Sequence, residues 1–205
     1  MASWIDDFEG NKLSSKWVAT RNSDGGQYTG VFTREVKDSK LYWNSTSWAT
    51  ETLRYGETIA LPVNAPGDIT IEALVRQKGV VAYSVLGVGV NKTAGSLSVP
   101  SVRYDTGGGA LNSVYGIDAA FLIGPLPARP AQGGISNISS DTIGLFKIVR
   151  KNGRMFWYGN GFYLKSLAYA NTITQVDITA TWMAGYIPSE KWVEYIKVSP
   201  SSVVL

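Results

Sequence analysis

The sequence predicts an all-β chain, a single antiparallel two-sheet β-sandwich domain spanning residues 1–205. Strand-like segments recur at short intervals, each bounded by Gly, Asn, Asp, Ser or Pro, which is the rhythm of a sandwich or barrel. Several alternate apolar and polar residues with period two, so each has one face to bury and one to wet. No segment combines a helical period with capping residues.

The segments read as strands are Gln27 to Val36, Lys40 to Asn44, Asp68 to Gln77, Val80 to Asn91, Leu97 to Asp105, Val114 to Leu122, Thr142 to Lys151, Arg154 to Tyr158, Gln175 to Met183 and Lys191 to Ser199. The clearest local feature is the hairpin FKIVRKNGRMFWY. Asn152-Gly153 is the turn pair whose positive φ angles match the twist of two joined strands. A two-residue loop there sets Val149 opposite Phe156, Ile148 opposite Trp157 and Lys147 opposite Tyr158. Alternation then puts Phe146, Ile148, Met155 and Trp157 on a core face. Arg150 stands at the turn end of that core face, and Lys147, Val149, Lys151, Arg154, Phe156 and Tyr158 share the other, amphipathic face.

Two more strands have clean faces. Val176, Ile178, Ala180 and Trp182 oppose Asp177, Thr179 and Thr181, while Ile69, Ile71, Ala73 and Val75 oppose Thr70, Glu72, Leu74 and Arg76. Lys165 to Ala170 has room for one helical turn at most, because Asn171 and the β-branched run beyond it oppose more. The irregular stretch from Ile123 to Thr142 contains Pro125, Pro127, Pro130 and Gly133-Gly134, and reads as a crossover between sheets, with a functional or mobile loop as the alternative.

Composition excludes several functions. The chain is 44% hydrophobic and 17% charged, so a large core is available and disorder is not expected. The net charge is +3, but Lys and Arg are scattered singly, without the stripe that tracks phosphates. The densest group, Arg150, Lys151 and Arg154, brackets the Asn-Gly turn and is expected to face solvent. No nucleic acid is expected as a partner. Cys and His are both absent, which removes disulfides, thiol nucleophiles, Cys/His zinc sites and every imidazole-based triad. No apolar run approaches membrane-spanning length, so no membrane insertion is expected. The start, MASWIDDFEG, lacks the basic-then-apolar layout of a secretion signal. Sequons at Asn44, Asn91 and Asn137 occur at close to chance frequency in a chain this rich in Ser and Thr.

The string WIDDFEGNKLSSKWV, with Asp6, Asp7, Phe8, Leu13 and Trp17, resembles the opening of concanavalin A-like (lectin/glucanase) jelly-roll domains. The C-terminal third resembles their closing strands: a basic strand, a tight turn, an aromatic strand, a penultimate strand, and a final V-x-Y-[IV]-x-V strand carried by Val193, Tyr195, Ile196 and Val198. The resemblance covers the two ends and implies paired terminal strands. It also implies a structural Ca²⁺ near those termini, for which Asp6, Asp7, Glu9 and Asp177 are the available hard ligands. Their spacing specifies no calcium loop, so they read as solvated turn carboxylates and no cofactor is expected.

Glycoside hydrolases of that superfamily place two Glu on one strand face, about 5 to 5.5 Å apart in retaining enzymes. No strand carries such a pair. Glu72 is flanked by Thr70 and Leu74, Asp177 by Gln175 and Thr179, and Glu194 by Trp192 and Ile196. Lyases of similar fold generally use a His/Tyr constellation, which the absence of His removes. The paired and tripled glycines lack the helix and Lys-Ser/Thr ending of a phosphate loop and read as turns.

The expected function is a non-catalytic carbohydrate-binding module, with a glycan or cell-surface polysaccharide as partner. Aromatic rings stack on sugar faces and polar groups hold the hydroxyls. The candidate ligand-binding residues are Lys147, Phe156 and Tyr158 on the hairpin, Trp43 and Trp48 in YWNSTSW, and the pair Arg103-Tyr104. Core packing is the competing role for each aromatic. One alternative is a structural, adhesive or virion-decoration protein with a homo-oligomer or assembly partner, on a virion or otherwise outside the cell. A second is an enzyme with an unrecognised site: a glycoside hydrolase whose carboxylates come from different strands, or a polysaccharide lyase that uses Tyr and Arg alone.

Overall fold

A computed structural model describes residues 4–23, 32–45, 54–78, 84–91, 101–105, 119–121, 142–159, 161–183 and 189–200. These residues form fourteen strands and no helix: β1 (Trp4–Asp6), β2 (Val18–Ser23), β3 (Phe32–Lys37), β4 (Lys40–Ser45), β5 (Arg54–Ala65), β6 (Ile69–Lys78), β7 (Ser84–Val90), β8 (Ser101–Asp105), β9 (Ala119–Phe121), β10 (Thr142–Lys151), β11 (Arg154–Gly159), β12 (Phe162–Ala168), β13 (Ile173–Met183) and β14 (Ser189–Pro200). The first sheet runs β12-β11-β10-β6-β14-β4-β3, with β1 also paired to β14; the second runs β2-β5-β13-β7-β8-β9. Pairing is antiparallel throughout, except that β8 and β9 are parallel. The terminal strands are adjacent, Trp4 lying opposite Val198.

The core lies between the sheets and follows the period-two pattern. Ile69, Ile71, Ala73 and Val75 of β6 are buried, as are Phe146 and Ile148 of β10 and Met155 and Trp157 of β11. Val176, Ile178 and Ala180 of β13 meet them from the second sheet. In β14 the register slips between Val193 and Tyr195. That extra residue turns Val193, Ile196 and Val198 all inward and Tyr195 outward, so the terminal pattern departs from strict alternation.

The N-terminal motif is a packing clasp. Asp6 accepts the Phe8 N–H at 2.9 Å through Oδ1 and the Trp17 indole N–H at 2.7 Å through Oδ2. Phe8 takes a left-handed φ of 54° to make that turn, and its ring packs 6.3 Å from the ring of Trp17.

Several expectations are corrected. Residues 165–168 are strand, within β12, because Phe162 to Ala168 pairs along the edge of β11. The short β1 and β2 and the long β5 are strands that local pattern does not reveal. In β5, Pro62 interrupts the signal, yet it lies beyond Ala60, where the pairing with β2 stops, and opposite the irregularity in β13. There the missing N–H deprives no ladder of a bond. Arg150 does not face solvent: it is 6% exposed and its guanidinium donates to the carbonyls of Ala65, Pro66, Gly67 and Ala170. Asp177 is also buried, at 1% exposure, and accepts a hydrogen bond from Gln175 at 2.8 Å, so its face is not uniformly wet. The stretch 123–141 lies outside the described residues.

Candidate functional site

Asn152 and Gly153 adopt φ of 51° and 70°, and the hairpin has the register that such a turn dictates: Lys147 opposite Tyr158, Ile148 opposite Trp157 and Val149 opposite Phe156. With Ile148 and Trp157 in the core, Lys147, Val149, Phe156 and Tyr158 are forced onto the outer face of the first sheet. There they line a depression of about 310 Å³ together with Glu72, Leu145, Lys151 and Gly161.

One cross-strand row organises this face. Tyr163 of β12 lies opposite Tyr158, Tyr158 opposite Lys147, Lys147 opposite Glu72, and Glu72 opposite Lys197. The rings of Tyr163 and Tyr158 meet edge-on with centroids 6.0 Å apart, and Tyr163 is 57% exposed. Glu72 accepts the Tyr195 hydroxyl at 3.2 Å. Burial, then the charge of Glu72 and this bond, then the charge of Glu194, raise the Tyr195 pKa. The Lys147 amine and the Tyr158 hydroxyl make no hydrogen bond or ion pair with any described residue.

The other sequence-derived candidates do not join them. Trp43 is fully buried, and its indole N–H is donated to Glu57 at 2.9 Å. This corrects its assignment as a ligand-binding ring: position 43 falls on the inward face of β4, and Tyr42 is the outward one. Arg103 and Tyr104 belong to β8 in the second sheet, across the core from the depression. Trp48 lies outside the described residues. Conversely, no local pattern places Glu72, Leu145, Gly161 or Tyr163 at this site. Glu72 arrives through the pairing of β6 with β10, a contact between distant segments.

A second polar-aromatic group sits on the same sheet. Tyr42 packs 6.1 Å from Trp192, and the Arg76 guanidinium lies 5.1 Å from the Trp192 ring centroid. Burial, a hydrogen bond to Glu190, and the charges of Glu190 and Glu35 push the Tyr42 pKa up to about 12. Such a group can hold its proton throughout the neutral range and serve as a donor, not as a base.

Glu72 is the one carboxylate among the described residues lining the depression. The hard ligands suggested by the terminal motif are dispersed: both Asp6 oxygens are taken by Phe8 and Trp17, and Asp177 lies in the second sheet. No group of three His, Cys, Asp or Glu suited to a metal ion occurs among the described residues.

No family model and no curated protein matches the sequence significantly. Solved structures do match the architecture along nearly its whole length. An endo-β-1,3-glucanase from Pyrococcus furiosus aligns with a TM-score of 0.58 at 13% identity, over 96% of this chain and 93% of that one. The Emp47p carbohydrate recognition domain aligns at 0.57 and 8% identity, over 97% and 94%. An immunostimulatory antigen and pseudo β-1,3-glucanase of Mycobacterium tuberculosis aligns at 0.57 and 12% identity, over 97% and 98%. The fold is the concanavalin A-like jelly roll. The paired terminal strands and bulged β14 of this jelly roll are what the end motifs encode. At such identities the likeness carries the fold and not the activity.

Proposed function

We propose that this jelly roll is a non-catalytic carbohydrate-binding module that receives a glycan on the outer face of the first sheet. The observation that carries the reading is the Tyr163–Tyr158–Lys147–Glu72 row over the depression. It combines ring faces for stacking with an amine, a phenol and a carboxylate for sugar hydroxyls. The fold is shared with a carbohydrate recognition domain and with glucanases. That the depression offers a lone carboxylate among its described residues favours binding over hydrolysis, which requires two.

A glycan array followed by calorimetric titration of the selected sugar tests the reading. Tyr158→Ala is expected to weaken binding by about 1 to 3 kcal/mol. Release of reducing ends that is lost on Glu72→Gln would overturn the non-catalytic part. Undiminished binding by Tyr158→Ala would overturn the location.

A further inference from the structure

The outer face of the hairpin consists of three cross-strand pairs: Lys147 with Tyr158, Val149 with Phe156, and Lys151 with Arg154. The third pair sets two cations directly opposite each other, with the Arg154 guanidinium donating to the Ser166 hydroxyl at 3.4 Å. The Asn152-Gly153 turn does not require that opposition. Lys147 and Lys151 stand about 13 Å apart along the strand, at about 3.3 Å per residue, with the apolar Val149–Phe156 pair between them.

On its other side Lys147 faces Glu72 of β6. Side chains so paired start only about 5 Å apart at Cβ, yet no ion pair joins these two. Glu72 is bonded instead to the Tyr195 hydroxyl, and the Lys147 amine is left without a partner among the described residues. The row continues past Glu72 to the exposed Lys197. Lys147, Lys151, Arg154 and Lys197 therefore surround the depression with Glu72, while Arg76, Glu190 and Glu35 lie farther along the sheet about Trp192 and Tyr42, and Glu194 and Asp68 stand at the margins. Asp68 is already bonded to the Asn152 N–H at 2.9 Å.

We propose that the depression selects an anionic glycan, one whose sugars bear carboxylate or sulfate groups. Lys147 binds the anion and Tyr158 lies against the sugar ring. This rests on the glycan-binding reading and names the class of sugar. An ammonium set among Leu145, Val149, Phe156 and Tyr158 is partly shielded from water, so an anionic partner interacts with it more strongly than a hydroxyl does.

The test titrates the full chain with an oligogalacturonate, a sulfated galactan oligosaccharide, a neutral β-glucan oligosaccharide and a single-stranded oligonucleotide. At least one of the two anionic sugars is expected to bind, and comparing them separates carboxylate from sulfate recognition. Lys147→Gln should weaken that binding by about tenfold or more, the loss of one charge-assisted bond, with thermal unfolding unchanged. Added salt should weaken binding in the wild type more than in the variant. Lys12→Gln, at the exposed N-terminal turn, should do nothing. Equal or tighter binding of the neutral glucan, or indifference to Lys147→Gln, would overturn the anionic assignment; loss of that sugar on Tyr158→Ala would still uphold the glycan site. Binding of no sugar would sink both. An oligonucleotide bound as tightly, with the same dependence on Lys147, would replace the glycan with a general polyanion.

Discussion

Trp43 of the first sheet donates its indole N–H across the sandwich to Glu57 of the second, at 2.9 Å. The other Glu57 oxygen receives Arg34 of β3 at 3.2 Å, so one carboxylate ties two strands of one sheet to the other. Glu57 is 4% exposed. A charge so placed is tolerable only because both oxygens are occupied.

Removing that carboxylate strands both donors. Glu57→Ala is expected to cost about 3 kcal/mol, the low end of the range for breaking a buried pair, since Arg34 retains access to water. Glu57→Gln keeps one acceptor and should cost less. Urea denaturation of the two variants measures the difference, and equal stability to wild type in Glu57→Ala would refute the inter-sheet role.

Local chemistry wrote the hairpin plainly: Asn152-Gly153 fixes the turn, the turn fixes the register, and the register fixes which side of β10 and β11 meets water. The faces of β6 were equally legible from alternation. What alternation cannot convey is which distant strand lies alongside, so the pairing of Glu72 with Lys147 across β6 and β10 has no local trace. It also cannot assign a face to an aromatic in a short segment such as YWNSTSW, where Tyr42 and Trp43 are both plausible core residues by type. Arg150 misled for a different reason. A charge by itself suggests solvent, but the Arg150 fork satisfies four carbonyls at 3.0 to 3.2 Å, one at the end of β5 and three in loops, a tertiary arrangement with no local trace.

Asn91 occupies a sequon, and its side chain is fully committed. Nδ2 donates to the Tyr169 hydroxyl and the Thr172 carbonyl, both at 2.8 Å, while Oδ1 accepts from the Thr174 N–H and hydroxyl and from the Gln175 N–H. Its φ of 52° adds a backbone preference that Asn tolerates well. A glycan on Nδ2 would replace one of its two hydrogens and break at least one of the donated bonds, so mass spectrometry after expression in a glycosylating host should find Asn91 unmodified in the folded protein. Asn91→Asp turns the donor toward a carbonyl into an acceptor and should cost about 1 to 3 kcal/mol. A fully occupied sequon with an unchanged unfolding transition would contradict this.

Tyr42 gives the fold an alkaline limit. Its pKa rises from 10.0 to about 12 in the folded protein, so the folded state keeps a phenol proton that the unfolded chain releases. The stability linked to Tyr42 is therefore whole below pH 10.0 and lost as pH climbs through about 12. Tyr195 shifts in the same direction and adds to the trend. The informative quantity is the difference between wild type and Tyr42→Phe. Denaturation across this window should show stability falling less steeply in the variant, and parallel curves would exclude the linkage.

The two faces of β11 yield the sharpest separation of fold from function. Trp157 is fully buried against the second sheet, whereas its neighbour Tyr158 is half-buried on the outer face. Trp157→Ala opens a large cavity and should cost about 3 to 5 kcal/mol of stability. Tyr158→Ala removes a ring that contacts Tyr163 at an edge of the sheet, so its stability cost should stay below about 1.5 kcal/mol, the upper value for one aromatic pair. Its effect should appear in sugar affinity instead. Measuring unfolding and titration on the same two variants gives a crossed result: Trp157→Ala destabilised, Tyr158→Ala stable and deficient in binding. The opposite pattern, with Tyr158→Ala unfolded and Trp157→Ala intact, would mean that the strand presents its other face to the core, and the proposed site would fall with it.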